Sequence, residues 1–159
     1  MNTQQAVDIV EIQSLLAGYV FACDEKDFDA LDGIFTPDAK LTYVIEEGRE
    51  ISGRYPDVKD WVRRTLECFP MTQHLIGLPQ IVVDGDRARA SSMLFNPMQL
   101  RRESGDQLFF IGGTYRDILV RTDAGWRITE RVESGTWQRN APTDWSAPEF
   151  VASIKPRQA

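Results

Sequence analysis

The chain has a single histidine, His74, in the segment TQHLIGLPQ. Imidazole exchanges protons near neutral pH, so His74 is the first candidate for acid–base chemistry. Period-two alternation puts Thr72, His74, Ile76 and Leu78 on one face of a strand, and the apolar members make that face inward. An inward imidazole needs a partner for its ring N–H. Asp24, one position past the apolar stripe of the first helix, is a plausible one. A carboxylate accepting from one ring nitrogen fixes the tautomer and leaves the other nitrogen free as a base. A structural histidine bonded to backbone fits the same pattern, and both readings stand at this level. Tyr19 lies five residues before Asp24, off its face by strict helical spacing, and a helix end that unwinds after Cys23 would bring both to the pocket. Tyr43 alternates with Leu41 and Ile45 and brings a second hydroxyl. Either tyrosine is equally well a core ring with its hydroxyl at the rim. Ser92, on the face of Ala88, Ala90 and Leu94, is a further inward candidate, as are Asn96 and Tyr115. Arg131 and Arg139 read as surface or interface charges.

The chemistry that is missing narrows the field. No CxxC or HExxH accompanies the lone histidine, so no metal site is expected. No GxxxxGK[ST] loop is present, and Gly112-Gly113 lies inside the apolar run LFFIGGTY, so nucleotide fingerprints are absent. There is no GxSxG elbow, and Cys23 or Cys68 with one histidine makes a weak nucleophile case. No cofactor is expected. Lys+Arg number 18 against 24 Asp+Glu, a net charge of -6 with no basic cluster. That balance argues against nucleic acid and anionic membranes as partners. No uninterrupted apolar run approaches the ~18 residues of a membrane span. The N-terminus lacks the basic and hydrophobic regions of a signal peptide, and two cysteines cannot build a disulfide framework. With 42% hydrophobic residues the chain is too apolar for disorder. These features predict one cytoplasmic domain spanning 1–159.

The elements that must position the candidates follow from periodicity. Ile12, Leu15, Leu16, Tyr19, Val20 and Cys23 mark one face of a first helix. Asp27 caps a short helix carrying Phe28, Leu31 and Ile34, stopped by Pro37. Ala39, Leu41, Tyr43 and Ile45 alternate as a strand. A third helix begins near Pro56, with Val58, Trp61, Val62, Thr65 and Phe69 on its face, and ends at Pro70. Turn signals at Asp84-Gly85, 103–106 and 122–125 then separate four long strands, roughly 71–83, 87–101, 107–121 and 126–137. The predicted fold is α+β: a curved antiparallel sheet forming a cone closed by N-terminal helices around a pocket. Tyr19, Phe21, Tyr43, Trp61, Leu78, Leu94, Met98 and Phe110 are its expected lining. The 138–159 tail, with Trp145 and Phe150, is expected to pack on the body or on a neighbouring subunit.

The pieces AGYVFACDEKDFDALDGIFTPDAKLTY, TQHLIG and GGTYRDILVRTDAGWRITER, in that order, resemble the SnoaL-like branch of the nuclear transport factor 2-like superfamily. The resemblance runs from about residue 7 to 137. It implies the same α+β cone and a homodimer or homotrimer. Within that branch the residues are most similar to three cofactor-free elimination enzymes: scytalone dehydratase, bile-acid dehydratase and hexachlorocyclohexane dehydrochlorinase. By that likeness Asp24, before the KDFDAL stretch, and His74 stand at their His–Asp pair. Tyr19 matches a catalytic tyrosine of bile-acid dehydratase, and Tyr43 a substrate-binding tyrosine of scytalone dehydratase. A second histidine of scytalone dehydratase falls near Ser92 and is unmatched here. The arginine of the other two has Arg131 as its nearest counterpart.

Together these readings give catalytic His74, Asp24 and Tyr19, with Tyr43, Trp61, Ser92, Asn96, Tyr115 and Arg131 binding substrate. The expected function is a lyase acting on a hydrophobic hydroxy-carbonyl compound of steroid, polyketide or aromatic kind. The competing reading is a non-catalytic binding module or accessory subunit, like the small subunit of ring dioxygenases; an isomerase or cyclase of the same superfamily is a further one. An exposed His74, or one distant from Asp24, favours the binding module.

Overall fold

The computed structural model describes residues 2–46, 49–103 and 105–142. Helix α1, Thr3–Asp24, is capped by Asn2, whose side chain accepts from the Gln5 N–H while the Gln5 side chain accepts from the Asn2 N–H. Two otherwise orphaned donors are satisfied in this way. The stripe of Ile12, Leu16, Tyr19, Val20 and Cys23 is buried. At 22 residues α1 is long and apolar enough by composition to cross a membrane, but that stripe belongs to the main hydrophobic core. Asp27 accepts from the Ala30 N–H and starts a 3-10 turn, Phe28–Gly33, that buries Phe28 and Leu31.

Among the described residues the sheet has eight strands: β1 Phe35–Glu46, β2 Arg49–Arg54, β3 Met71–Thr72, β4 Leu75–Ile76, β5 Gln80–Asp84, β6 Arg87–Leu100, β7 Gln107–Thr122 and β8 Gly125–Arg139. Their order is β2-β1-β8-β7-β6-β3, with β4 and β5 also paired to β6. Only β1 and β8 run parallel; the other pairs are antiparallel. Along β6 every second residue is buried, from Ala88 through Ser92, Leu94 and Asn96 to Leu100. The long strands therefore have one face toward the helices. Helix α2, Asp57–Leu66, buries Val58, Trp61, Val62 and Leu66. The chain is the expected α+β cone.

Several expectations need correction. The strand predicted over 71–83 is broken into β3, β4 and β5, because His74 gives its backbone N–H to a side chain (below) and Pro79 has none to give. Alternation consequently lapses after Ile76, and Leu78, an expected pocket residue, is 88% exposed. Phe21, another, is 64% exposed, because it lies on the outer side of α1. Phe110 stacks on Phe95 at 5.9 Å between ring centroids and belongs to the outer face. Strand β2 was not anticipated, since REISGR has one large apolar residue and reads as a polar edge. Helix α1 stays wound through Asp24. Trp145 and Phe150 lie outside the described residues.

Arg131 is not a surface charge. It is 1% exposed, and its Nε and Nη2 donate to the two oxygens of Asp117 at 2.7 and 2.8 Å. Its guanidinium lies 4.0 Å from the Tyr19 ring centre and 4.4 Å from that of Tyr115, a cation held between two aromatic faces. Burial works against this charge, but Asp117 and the rings outweigh it, and the guanidinium is held more firmly ionised than usual. Breaking a buried pair strands the partner's charge. Asp117→Ala is therefore expected to cost about 3–5 kcal/mol in a urea unfolding curve. Arg131→Met combined with Asp117→Leu should cost far less than that. Equal losses in the single and double variants would show that the pair is not the cause.

Candidate active site

Three elements converge on His74. Asp24 ends α1, Thr72 ends β3, and Asn96 sits on the buried face of β6. His74 Nδ1 lies 2.6 Å from Asp24 Oδ1, and the His74 backbone N–H donates to Asp24 Oδ2 at 2.7 Å. Thr72 Oγ1 donates to the same Oδ1 at 2.8 Å, and Lys26 Nζ donates to Thr72 Oγ1 at 3.2 Å. Lys26 reaches this position from a left-handed backbone, φ 62°, just past the helix end. Burial raises the Asp24 carboxyl, but the hydrogen bonds and charge of His74, with Thr72, outweigh it and hold the carboxyl below its ordinary range. An ionised Asp24 only accepts, so Nδ1 carries the proton and Nε2 the lone pair. Nε2 lies 3.0 Å from Asn96 Nδ2, which donates to it, while Asn96 Oδ1 is buried without a partner among the described residues. Rotating the Asn96 amide would present Oδ1 to a protonated Nε2, so one residue can serve both charge states.

The tyrosines belong to the main hydrophobic core. The Tyr19 and Tyr43 hydroxyls are 3.4 Å apart, longer than a usual hydroxyl hydrogen bond and a spacing at which both can donate to one oxygen. Tyr115 packs edge-on to Tyr19 at 5.7 Å, and its buried hydroxyl has no partner within hydrogen-bonding geometry among the described residues. Burial raises all three phenols well above their ordinary range, so they are donors at neutral pH. Trp61 packs on Tyr43 at 5.2 Å. Ser92 is buried and pairs across the strands with Tyr115. Arg131 commits two of its nitrogens to Asp117, leaving only Nη1 unpartnered. The Cys23 thiol is pushed up to about 12 by burial, so it is not a nucleophile near neutral pH.

Thus Asp24, His74 and Asn96 meet directly, and Tyr19, Tyr43, Trp61, Tyr115 and Ser92 share the interior with them. Three residues at or near the site escaped the reading of the sequence: Thr72 and Lys26, which brace Asp24, and Glu133. Thr72 had been placed inward but without a role. Glu133 lies two residues after Arg131 and so shares its face. Reading that strand segment as surface charge concealed Glu133, while Arg131 entered the site only through the family resemblance.

With this geometry in view, comparison with known proteins gives the family. The SnoaL-like domain matches residues 4–132, and the chain belongs to that family, with the nuclear transport factor 2-like fold. An uncharacterised protein of Mycobacterium tuberculosis is 42% identical over 141 residues, covering 87% of this chain and 92% of that protein. Two solved structures share the fold. One, from Novosphingobium aromaticivorans and assigned as a scytalone dehydratase, has a TM-score of 0.72 at 21% identity, covering 96% of this chain and 99% of that one. The other, a hexachlorocyclohexane dehydrochlorinase (LinA) type 2, has a TM-score of 0.73 at 18% identity, covering 92% and 97%. The relatives of this fold thus include a dehydratase and a dehydrochlorinase.

Proposed function

We propose that this protein is a cofactor-independent lyase that eliminates water from a hydrophobic hydroxy-carbonyl compound. The observation that carries this reading is the 2.6 Å contact between His74 Nδ1 and Asp24 Oδ1, with Asp24 itself clamped by the His74 N–H and Thr72. A carboxylate so anchored orients the ring and balances the imidazolium that forms when Nε2 takes a proton. The substrate's acidic C–H would displace Asn96 from Nε2, and the carbonyl oxygen would lie between the Tyr19 and Tyr43 hydroxyls. Stabilising the developing enolate there is an oxyanion-hole function. The buried aromatic surroundings suit a polycyclic or aromatic skeleton. Burial of His74 also weighs against a plain binding module. The test is incubation with hydroxy-carbonyl steroid-like and polyketide-like compounds, followed by absorbance of the conjugated product. Absence of product across such a panel would count against the reading. Tyr19→Phe should slow turnover less than changes at His74 or Asp24, since one hydroxyl is lost and Tyr43 keeps its own.

The working form is a homodimer or homotrimer joined through the outer face of the sheet. Leu75, Met93, Phe95, Leu108, Val132 and Trp137 are large apolar residues left exposed there, Met93 by 76%. Such a contiguous patch commonly marks an interface. Gly112 adapts to it: the Trp137 indole lies across this glycine so closely that a Cβ would fall 2.1 Å from the ring. Light scattering on the eluting protein should give a multiple of 18.1 kDa, and a monomer at micromolar concentration would refute this assembly. The cytoplasm is its expected place, consistent with the free cysteines Cys23 and Cys68; fractionation of host cells tests this.

A further inference from the structure

Glu133 occupies a row of residues that crosses four strands. It pairs with Tyr43 of β1 on one side and Tyr115 of β7 on the other, and Tyr115 pairs with Ser92 of β6. Directly paired residues point to the same side of a sheet. Tyr43, Tyr115 and Ser92 are all buried on the side facing the helices, as is Arg131 two residues earlier on β8. The Glu133 carboxyl therefore projects into the same interior as His74. The ionisable groups acting on it come from every neighbouring element: Tyr43 from β1, Tyr115 from β7, Cys23 from α1, Arg131 from β8 and His74 from the β3–β4 segment. Arg131 is the one cation among them with a fixed charge, and it is already paired to Asp117. Beside this row the buried Tyr115 hydroxyl and Asn96 Oδ1 have no hydrogen-bond partner among the described residues. A carboxyl placed here faces polar groups that protein contacts leave unused.

Resting on the elimination described above, we propose that Glu133 is the second acid–base group of the site and protonates the departing hydroxyl of the substrate. His74 Nε2 takes the proton from the carbon next to the carbonyl, and that C–H electron pair becomes the new C=C bond. The C–O bond on the following carbon breaks, its electron pair takes the proton of the Glu133 carboxyl, and water leaves. Imidazolium and carboxylate remain, and passage of the proton from His74 to Glu133 restores both. Glu133 is partly buried, and that burial holds its carboxyl above its ordinary range, against the pull of His74 and Arg131, which favours the protonated form that an acid needs. The Tyr115 hydroxyl is close enough to oppose this, though outside strict hydrogen-bonding geometry.

The test compares wild type, Glu133→Gln and His74→Gln on a β-hydroxy cyclic ketone and on its β-acetoxy counterpart, whose leaving group needs no proton. Glu133→Gln should lose roughly 10²–10⁴-fold on the hydroxy compound and stay near wild type on the acetoxy one. His74→Gln should lose both. Loss on both compounds, or on neither, with Glu133→Gln overturns the role of Glu133 and leaves the base intact. Full activity of His74→Gln overturns the elimination reading itself. A second readout needs no substrate. A carboxyl raised in the folded state stabilises most below its unfolded value, about 4.3, and that benefit is lost as pH rises through the folded value. The melting temperature of Glu133→Gln minus that of wild type should therefore climb with pH above ~4.3 and then level off. A flat difference would show that Glu133 titrates as an ordinary surface carboxyl and would overturn the proposal.

Discussion

Replacing His74 with Gln should abolish turnover on any accepted substrate while leaving the fold in place. Glutamine fills similar space, and its amide can still donate toward Asp24, but it cannot take a proton from carbon at neutral pH. Positioned general bases contribute on the order of 10²–10⁴ each, and the loss should reach or exceed that range because, without proton removal, neither the Asp24 counter-charge nor the tyrosine hydroxyls have a developing charge to stabilise. The fold should survive because His74 is held by only a few polar contacts, one of them from its backbone N–H to Asp24, which the substitution retains. Steady-state rates together with circular dichroism and a melting curve make the comparison. Near wild-type rates in a folded variant would place the base elsewhere.

Asp24→Asn should be nearly as severe. The carboxylate accepts three hydrogen bonds, from Nδ1, from the His74 backbone and from Thr72. An amide offers one oxygen in place of two and adds an N–H that faces either the ring or the backbone donor. The ring can then turn over to its other tautomer, and the imidazolium loses its counter-charge; a loss on the order of 10²–10⁴ in kcat follows. The same substitution should alter the acid limb of stability. Because the Asp24 carboxyl lies below its ordinary range when folded, its contribution is complete above the unfolded value, about 3.9, and is lost as pH falls through the lower folded value. Melting temperatures of wild type and Asp24→Asn should differ near neutrality and converge in acid. Parallel curves across that range would mean that Asp24 does not depend on His74 for its charge. Full turnover by the variant would remove Asp24 from the mechanism.

Much of the framework was legible because it depends on short-range rules. The stripe from Ile12 to Cys23 declares a helix with one apolar face, and that face is the one buried. Asp27 caps the next turn as its residue type predicts, and Gly85, at φ 57°, makes the hairpin between β5 and β6. Alternation along β6 told which side chains face the helices, and so placed Ser92 and Asn96 inside. Where the pattern was polar, it misled. REISGR forms β2 through pairing with β1, a partnership that its own composition does not announce. Arg131 and Glu133 face inward only because the register of β8 shifts between Ile128 and Glu130; strict alternation from Trp126 and Ile128 would set both outward.

By itself the sequence determined the class of fold and the residue types available for acid–base chemistry, because helix caps, turn residues and apolar periodicity act within a few positions of one another. Only the tertiary structure decided which groups meet. It carries Asp24 to His74, draws the His74 N–H off the sheet, and so breaks the strand expected over 71–83. It also lets Asp117 and two tyrosine rings hold Arg131 in the core. The physical reason is desolvation: a buried charge is tolerated only beside its partner, and that partner lies on another element, at a distance along the chain that no local pattern encodes.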